Sequence, residues 1–145
     1  MATDEGTIDV PQGWDMLVQR RGSFSLYSPD RALTIKVLAI RRESFERDLR
    51  ETAVRHLDTV GNLKGLEPTQ RFDGERTIYY AEKIVRPGRV FAGCGITTRT
   101  TPDVVIMAVA RLMDAEHVSK ARFDAEGGES LLCRIAESAT DLVRE

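Results

Sequence analysis

The chain is poor in the residue types on which much protein chemistry depends: two cysteines and two histidines in 145 residues. Cys94 and Cys133 stand far apart, with neither the C-x-x-C spacing of a redox motif nor the Cys/His spacing of a zinc site. Both are therefore expected as unpaired, buried small hydrophobes. No G-x-S-x-G, Walker A, H-E-x-x-H or EF-hand spacing occurs, so no catalytic residue, cofactor or metal is expected. Gly93-Cys94-Gly95-Ile96-Thr97-Thr98 begins like a phosphate loop, but it ends in Thr and lies inside a strand pattern with no helix after it. The longest apolar run, Val104 to Ala110, falls far short of the roughly 20 residues that span a bilayer, which argues against membrane insertion. A net charge of -2, from 21 basic and 23 acidic residues, supplies no basic field for a nucleic acid backbone. The first seven residues carry two acidic side chains and no basic one, and no signal-length apolar run follows. The expected location is cytoplasmic, or periplasmic if a leader has been removed.

What is present suits one globular domain over 1–145. Hydrophobic residues make up 41% and charged residues 30%, enough for a core without staples. Val10-Pro11-Gln12-Gly13 is a turn into a strand over 14–20, and Arg21-Gly22 turns the chain back through Phe24 and Leu26 to Ser28-Pro29-Asp30. Leu33 to Ile40, apolar on both faces except at Thr34 and Lys36, reads as an inner strand. Ser44 can cap a helix through Phe45, Leu49, Ala53, Leu57 and Val60, which Gly61 would stop. The pairs Glu43–Arg47, Glu46–Arg50 and Glu51–Arg55 would line its outer side. A short strand near 69–72 meets Asp73-Gly74, and three strands follow over 77–85, 90–98 and 104–113. A short helix from Asp114 to about Ala125, the Gly127-Gly128 break and a helix from Glu129 to Val143 close the chain. The order is β-β-β-α-(β)-β-β-β-α-α. The fold class is α+β, an antiparallel sheet with helices on both faces.

Ile8-Asp9-Val10-Pro11-Gln12-Gly13-Trp14, the Ser28-Pro29-Asp30 turn, the helix at 44–60, the Asp73-Gly74 turn into three long strands and the final helix resemble, in that order, the PsbP-like superfamily. That superfamily includes bacterial DcrB-like proteins and a yeast release factor for the small GTPase Ran. The resemblance implies an α/β/α sandwich and a binding, assembly or chaperone role without catalysis. One bacterial branch comprises leaderless adaptors that hold apolar helices of type VI secretion effectors. The extra short helix with its Gly-Gly break departs from the usual pattern.

The remaining chemistry is sparse. His56 and His117 are expected on helix surfaces, a nucleophile pair of Ser119 or Cys133 with His117 is conceivable, and Asp124 and Glu126 are expected in a solvated loop. Trp14 is expected as a core anchor. Arg86, Arg89 and Arg99 lie at strand ends, where they keep hairpin tips soluble or gather an anion. Gly93 and Gly95 point to one face of a central strand, and Ala92 and Cys94 to the other, beside Ala108 and Ala110. The expected function is a non-enzymatic protein-binding module, an adaptor or chaperone for a secreted or membrane-targeted protein or apolar peptide. Its binding groove would be floored by Gly93 and Gly95, flanked by Tyr79 and Met107, and rimmed by Arg89 or Arg99. The alternative is a small-molecule or lipid carrier using the same groove. The competing structural expectation is that the chain's own final helix fills it.

Overall fold

In a computed structural model, residues 2–3, 6–7, 9–20, 23–60, 68–74, 76–85, 89–97, 106–113 and 118–139 are described. After a small hairpin of β1 (Ala2–Thr3) and β2 (Gly6–Thr7), the strands β3 (Asp15–Arg20), β4 (Ser23–Tyr27) and β5 (Thr34–Arg41) form a meander. Helix α1 (Leu49–Val60) then leads to a second meander of β6 (Thr69–Asp73), β7 (Arg76–Val85), β8 (Arg89–Thr97) and β9 (Ile106–Met113). Helices α2 (Lys120–Ala125) and α3 (Gly128–Ala139) follow. β9 pairs with β5, so both meanders join into one antiparallel sheet in the order β3-β4-β5-β9-β8-β7-β6. The element order and class agree with the expectation.

The main core lies on one face of the sheet. Phe24, Leu26, Ile35, Val37, Ile78 and Ile96 pack there with Leu131, Leu132, Ile135 and Ala136 of α3 and Phe123 of α2. The apolar i, i+3, i+4 stripe of α3 explains why that helix settles on an apolar sheet. Trp14 is buried in the same cluster. The two turns quoted for the family resemblance meet: Gly13 adopts a left-handed φ of 89°, and a Cβ built on it would stand 3.4 Å from the Pro29 ring. Gly127 (φ 119°) and Gly128 (φ 53°) turn the chain between α2 and α3, in conformations that side chains other than glycine rarely adopt.

Several local expectations are corrected. Helix α1 begins at Leu49, because Asp48 and not Ser44 caps it: the Glu51 N–H donates to Asp48 Oδ1 at 3.0 Å. Phe45 consequently lies before the helix and is exposed. The ion pairs also differ, with Arg47 holding Glu51 at 3.1 Å and Arg55 reaching back nine residues to Glu46 at 2.8 Å. His56 is buried, because it stands three residues after Ala53 and seven after Leu49, on the side of the helix that faces the sheet. His117, Arg86, Arg99 and the end of the final helix beyond 139 lie outside the described residues.

Candidate functional site

The second face of the sheet, beneath α1, is built in rows set by the register. Tyr79 stands opposite Gly95, which stands opposite Val109, itself opposite Leu38. The adjoining row runs Ala81, Gly93, Arg111, Lys36. By register Tyr79, Gly93 and Gly95 share this face, and Met107 stands opposite Thr97 in the next strand. Arg89 opens β8 opposite Val85, at the end of the same strand. Gly93 and Gly95 are buried, and they give this face a floor without side chains. Helix α1 provides the roof: Ala53 and Tyr79 are buried against each other, with Ile40 and Leu49 partly buried beside them. The chain's own helix over Gly95 is therefore α1, whereas α3 covers the opposite face. Desolvation raises the Tyr79 hydroxyl pKa, with Asp48 adding to the effect.

The entry to α1 is tied down by a buried carboxylate that sequence periodicity did not single out. Glu46 accepts from Arg55 Nε at 2.8 Å, the Glu43 N–H at 2.7 Å and the Thr52 hydroxyl at 3.2 Å. Burial pushes its carboxyl upward, but the Arg55 hydrogen bond and the other donors outweigh this and hold it below its ordinary value. Arg55 also donates to the Arg41 carbonyl at 2.9 Å, fastening the helix to the end of β5. Between this connector and the helix lies a hollow of about 310 Å³ lined by Phe45, Glu46, Arg50, Glu51, Val54 and Arg55. It shares none of the residues proposed from the sequence.

On the α3 face the two cysteines are joined. Cys94 of β8 and Cys133 of α3 form a disulfide with Cα atoms 5.3 Å apart, and no free cysteine remains. The expectation of two free thiols fails because residues 39 apart in sequence are brought together only by α3 docking on the central strand. Register one residue away from Tyr79 sends Tyr80 to this face. Desolvation pushes the Tyr80 hydroxyl far up, helped by its hydrogen bond to Glu82 at 2.7 Å. Glu82 also receives Lys120 at 2.6 Å, joining β7 to α2.

Among the described residues, the other polar groups singled out from the sequence are engaged in caps and ion pairs. Ser119 caps α2, accepting from the Arg122 N–H at 3.1 Å, and Cys133 is consumed by the disulfide. Asp124 and Glu126, expected in a solvated loop, are instead partners of Lys120 and Arg122 at helical i, i+4 spacing. Arg122 also reaches Asp30 at 2.6 Å, and this bond, with donors from Ala32 and Ser28, holds the Asp30 carboxyl far below the usual carboxylate range. Among the described residues, no three His, Cys, Asp or Glu side chains gather as a metal site, and no helix is long and apolar enough to cross a membrane.

No protein-family model matches the chain, and no curated protein matches its sequence. A solved structure of similar fold is LpqN, a protein involved in cell envelope biogenesis of Mycobacterium tuberculosis. The likeness has a TM-score of 0.55 at 12% identity and covers 90% of this chain and 79% of that one. At that identity the shared feature is the fold. The cytoplasmic expectation is corrected here: Cys94 and Cys133 are paired, a state that persists in oxidising compartments and is rare in the cytosol, and the fold is shared with LpqN.

Proposed function

We propose that this chain is a non-catalytic binding domain of an oxidising, extracytoplasmic compartment, and that it carries a small amphiphile or lipid between α1 and the sheet. The observation that carries the reading is the buried glycine floor at Gly93 and Gly95 beneath α1, where the apolar cluster among the described residues is Ala53 with Tyr79, flanked by Ile40 and Leu49. A guest helix, about 10–12 Å across, would need α1 to leave this place. A single hydrocarbon chain needs only a small lift of α1, so the carrier reading is preferred over the adaptor reading. The role of LpqN in envelope biogenesis supports a lipid-like cargo, and the PsbP-like resemblance of the Pro11 to Trp14 opening supports a binding role.

The test is displacement of a fluorescent fatty acid from the purified, oxidised protein by a long-chain fatty acid and by the matching alcohol. Saturable binding is expected. Gly95→Leu should abolish it while the near-UV signal of the Trp14 core is retained. Absence of saturable binding, or its survival in Gly95→Leu, overturns the proposal.

A further inference from the structure

The sheet has two outer strands, and they are finished differently. At one edge, β6 exposes Thr69, Gln70 and Arg71 around its one large apolar residue, Phe72, and Arg71 is held to Glu129 of α3 at 3.0 Å. Polar and charged side chains of this kind discourage pairing with another strand. At the other edge, β3 carries Met16-Leu17-Val18 with no charge among them, and Leu17 and Val18 are 51% and 53% exposed on opposite faces of the sheet. Among the described residues, β3 pairs on one side only, with β4. The charge before this strip, Asp15, is engaged by Arg31 of the same chain at 2.9 Å. The bulge in β3 falls after Val18, so the stretch from Asp15 to Val18 stays regular.

We infer that β3 is a homodimer edge, with the second copy of this chain pairing antiparallel to it about a two-fold axis at Leu17. The pattern is self-matching. An antiparallel pair must keep each face of the sheet on its own side, so residue 17 can oppose only an odd-numbered residue of the second copy. Centring on Leu17 puts Leu17 opposite Leu17 on the α1 face and Met16 opposite Val18 on the α3 face. Every large apolar side chain of the strip then meets another, no charge stands opposite Met16, Leu17 or Val18, and the result is a continuous fourteen-stranded sheet of closed two-fold symmetry. An unrelated extended peptide would meet the same open backbone, but it would not account for a strip that complements itself on both faces.

Sedimentation of the purified, oxidised chain over a range of concentrations tests the inference. A monomer–dimer equilibrium is expected. Leu17→Lys and Leu17→Glu each place two like charges opposite one another across the axis, and each alone should lose the dimer. An equal mixture of the two should regain it, which also shows that both variants are folded. Phe72→Lys, on the other edge, should dimerise as the parent does. A parent chain that stays monomeric throughout, a Leu17→Lys variant that still dimerises, a mixture that stays monomeric, or a dimer lost through Phe72→Lys would each overturn it.

Discussion

The two faces of this sheet are the same strands seen from opposite sides, yet they are covered in different ways. On one side α3 and α2 bury Leu131, Leu132, Ile135, Ala136 and Phe123 against six or more large sheet residues, and a disulfide fixes the contact. On the other, α1 meets glycine, and the buried apolar contact among described residues is reduced to Ala53 and Tyr79 with the flanks of Ile40 and Leu49. Buried apolar area contributes about 25 cal/mol per Å², so among the described residues the larger apolar stabilisation lies on the α3 face. Polar ties fasten the entry of α1, Glu46 with Arg55 and Arg55 with the Arg41 carbonyl.

The comparison can be broken by truncating each side in turn. Phe123→Ala on the filled face should cost about 3–5 kcal/mol, while Leu49→Ala under the thin helix should cost about 1 kcal/mol; urea unfolding with the disulfide intact measures both. Equal costs would abolish the distinction. Next in size is the disulfide: replacing Cys94 and Cys133 together by Ala should remove about 2–4 kcal/mol. Thiol titration of unfolded protein should find no free thiol before reduction and two after it.

What the sequence made legible follows from what is local. Alternation in Arg76–Val85 and Arg89–Thr97, the Asp73-Gly74 turn and the 3.6-residue stripe of α3 are written within short windows, and the element order came out as read. The start of α1 was misread because Ser44 and Asp48 are both good caps, and the choice was made by Glu46, whose burial with Arg55 holds the preceding turn out of the helix. The disulfide was missed because spacing in sequence carries no signal when a helix and a central strand supply one cysteine each. The glycine face was legible as a face, through Tyr79, Gly93 and Gly95, but not which helix lies over it. That depends on the crossover from β5 to the far edge at β6, a long-range matter.

A smaller effect sharpens the role of the ties at the entry of α1. Glu46→Gln should cost about 1–2 kcal/mol by weakening hydrogen bonds to a buried group, and the loss should be confined to α1 amides. Because the Glu46 carboxyl is held below its ordinary value when folded, its contribution is present at neutral pH and is lost as pH falls from the ordinary carboxylate range through the folded pKa. Acid should therefore loosen α1 ahead of α3 in the parent, and this order should weaken in Glu46→Gln. Asp30 has the same sign, through Arg122, but it sits at the exposed corner of the α3 face. Asp30→Asn should flatten the acid limb of global stability slightly and leave α1 unchanged.

Amide hydrogen exchange of α1 against α3, with and without a long-chain fatty acid, is the most direct test of the claim that one face holds the fold and the other works. The account predicts that α3 amides exchange only through global unfolding, that α1 amides exchange through a smaller opening, and that the fatty acid slows α1 selectively. If α1 is as protected as α3 in the free protein, or if the fatty acid slows α3 and leaves α1 unaffected, the division of labour between the two faces is wrong.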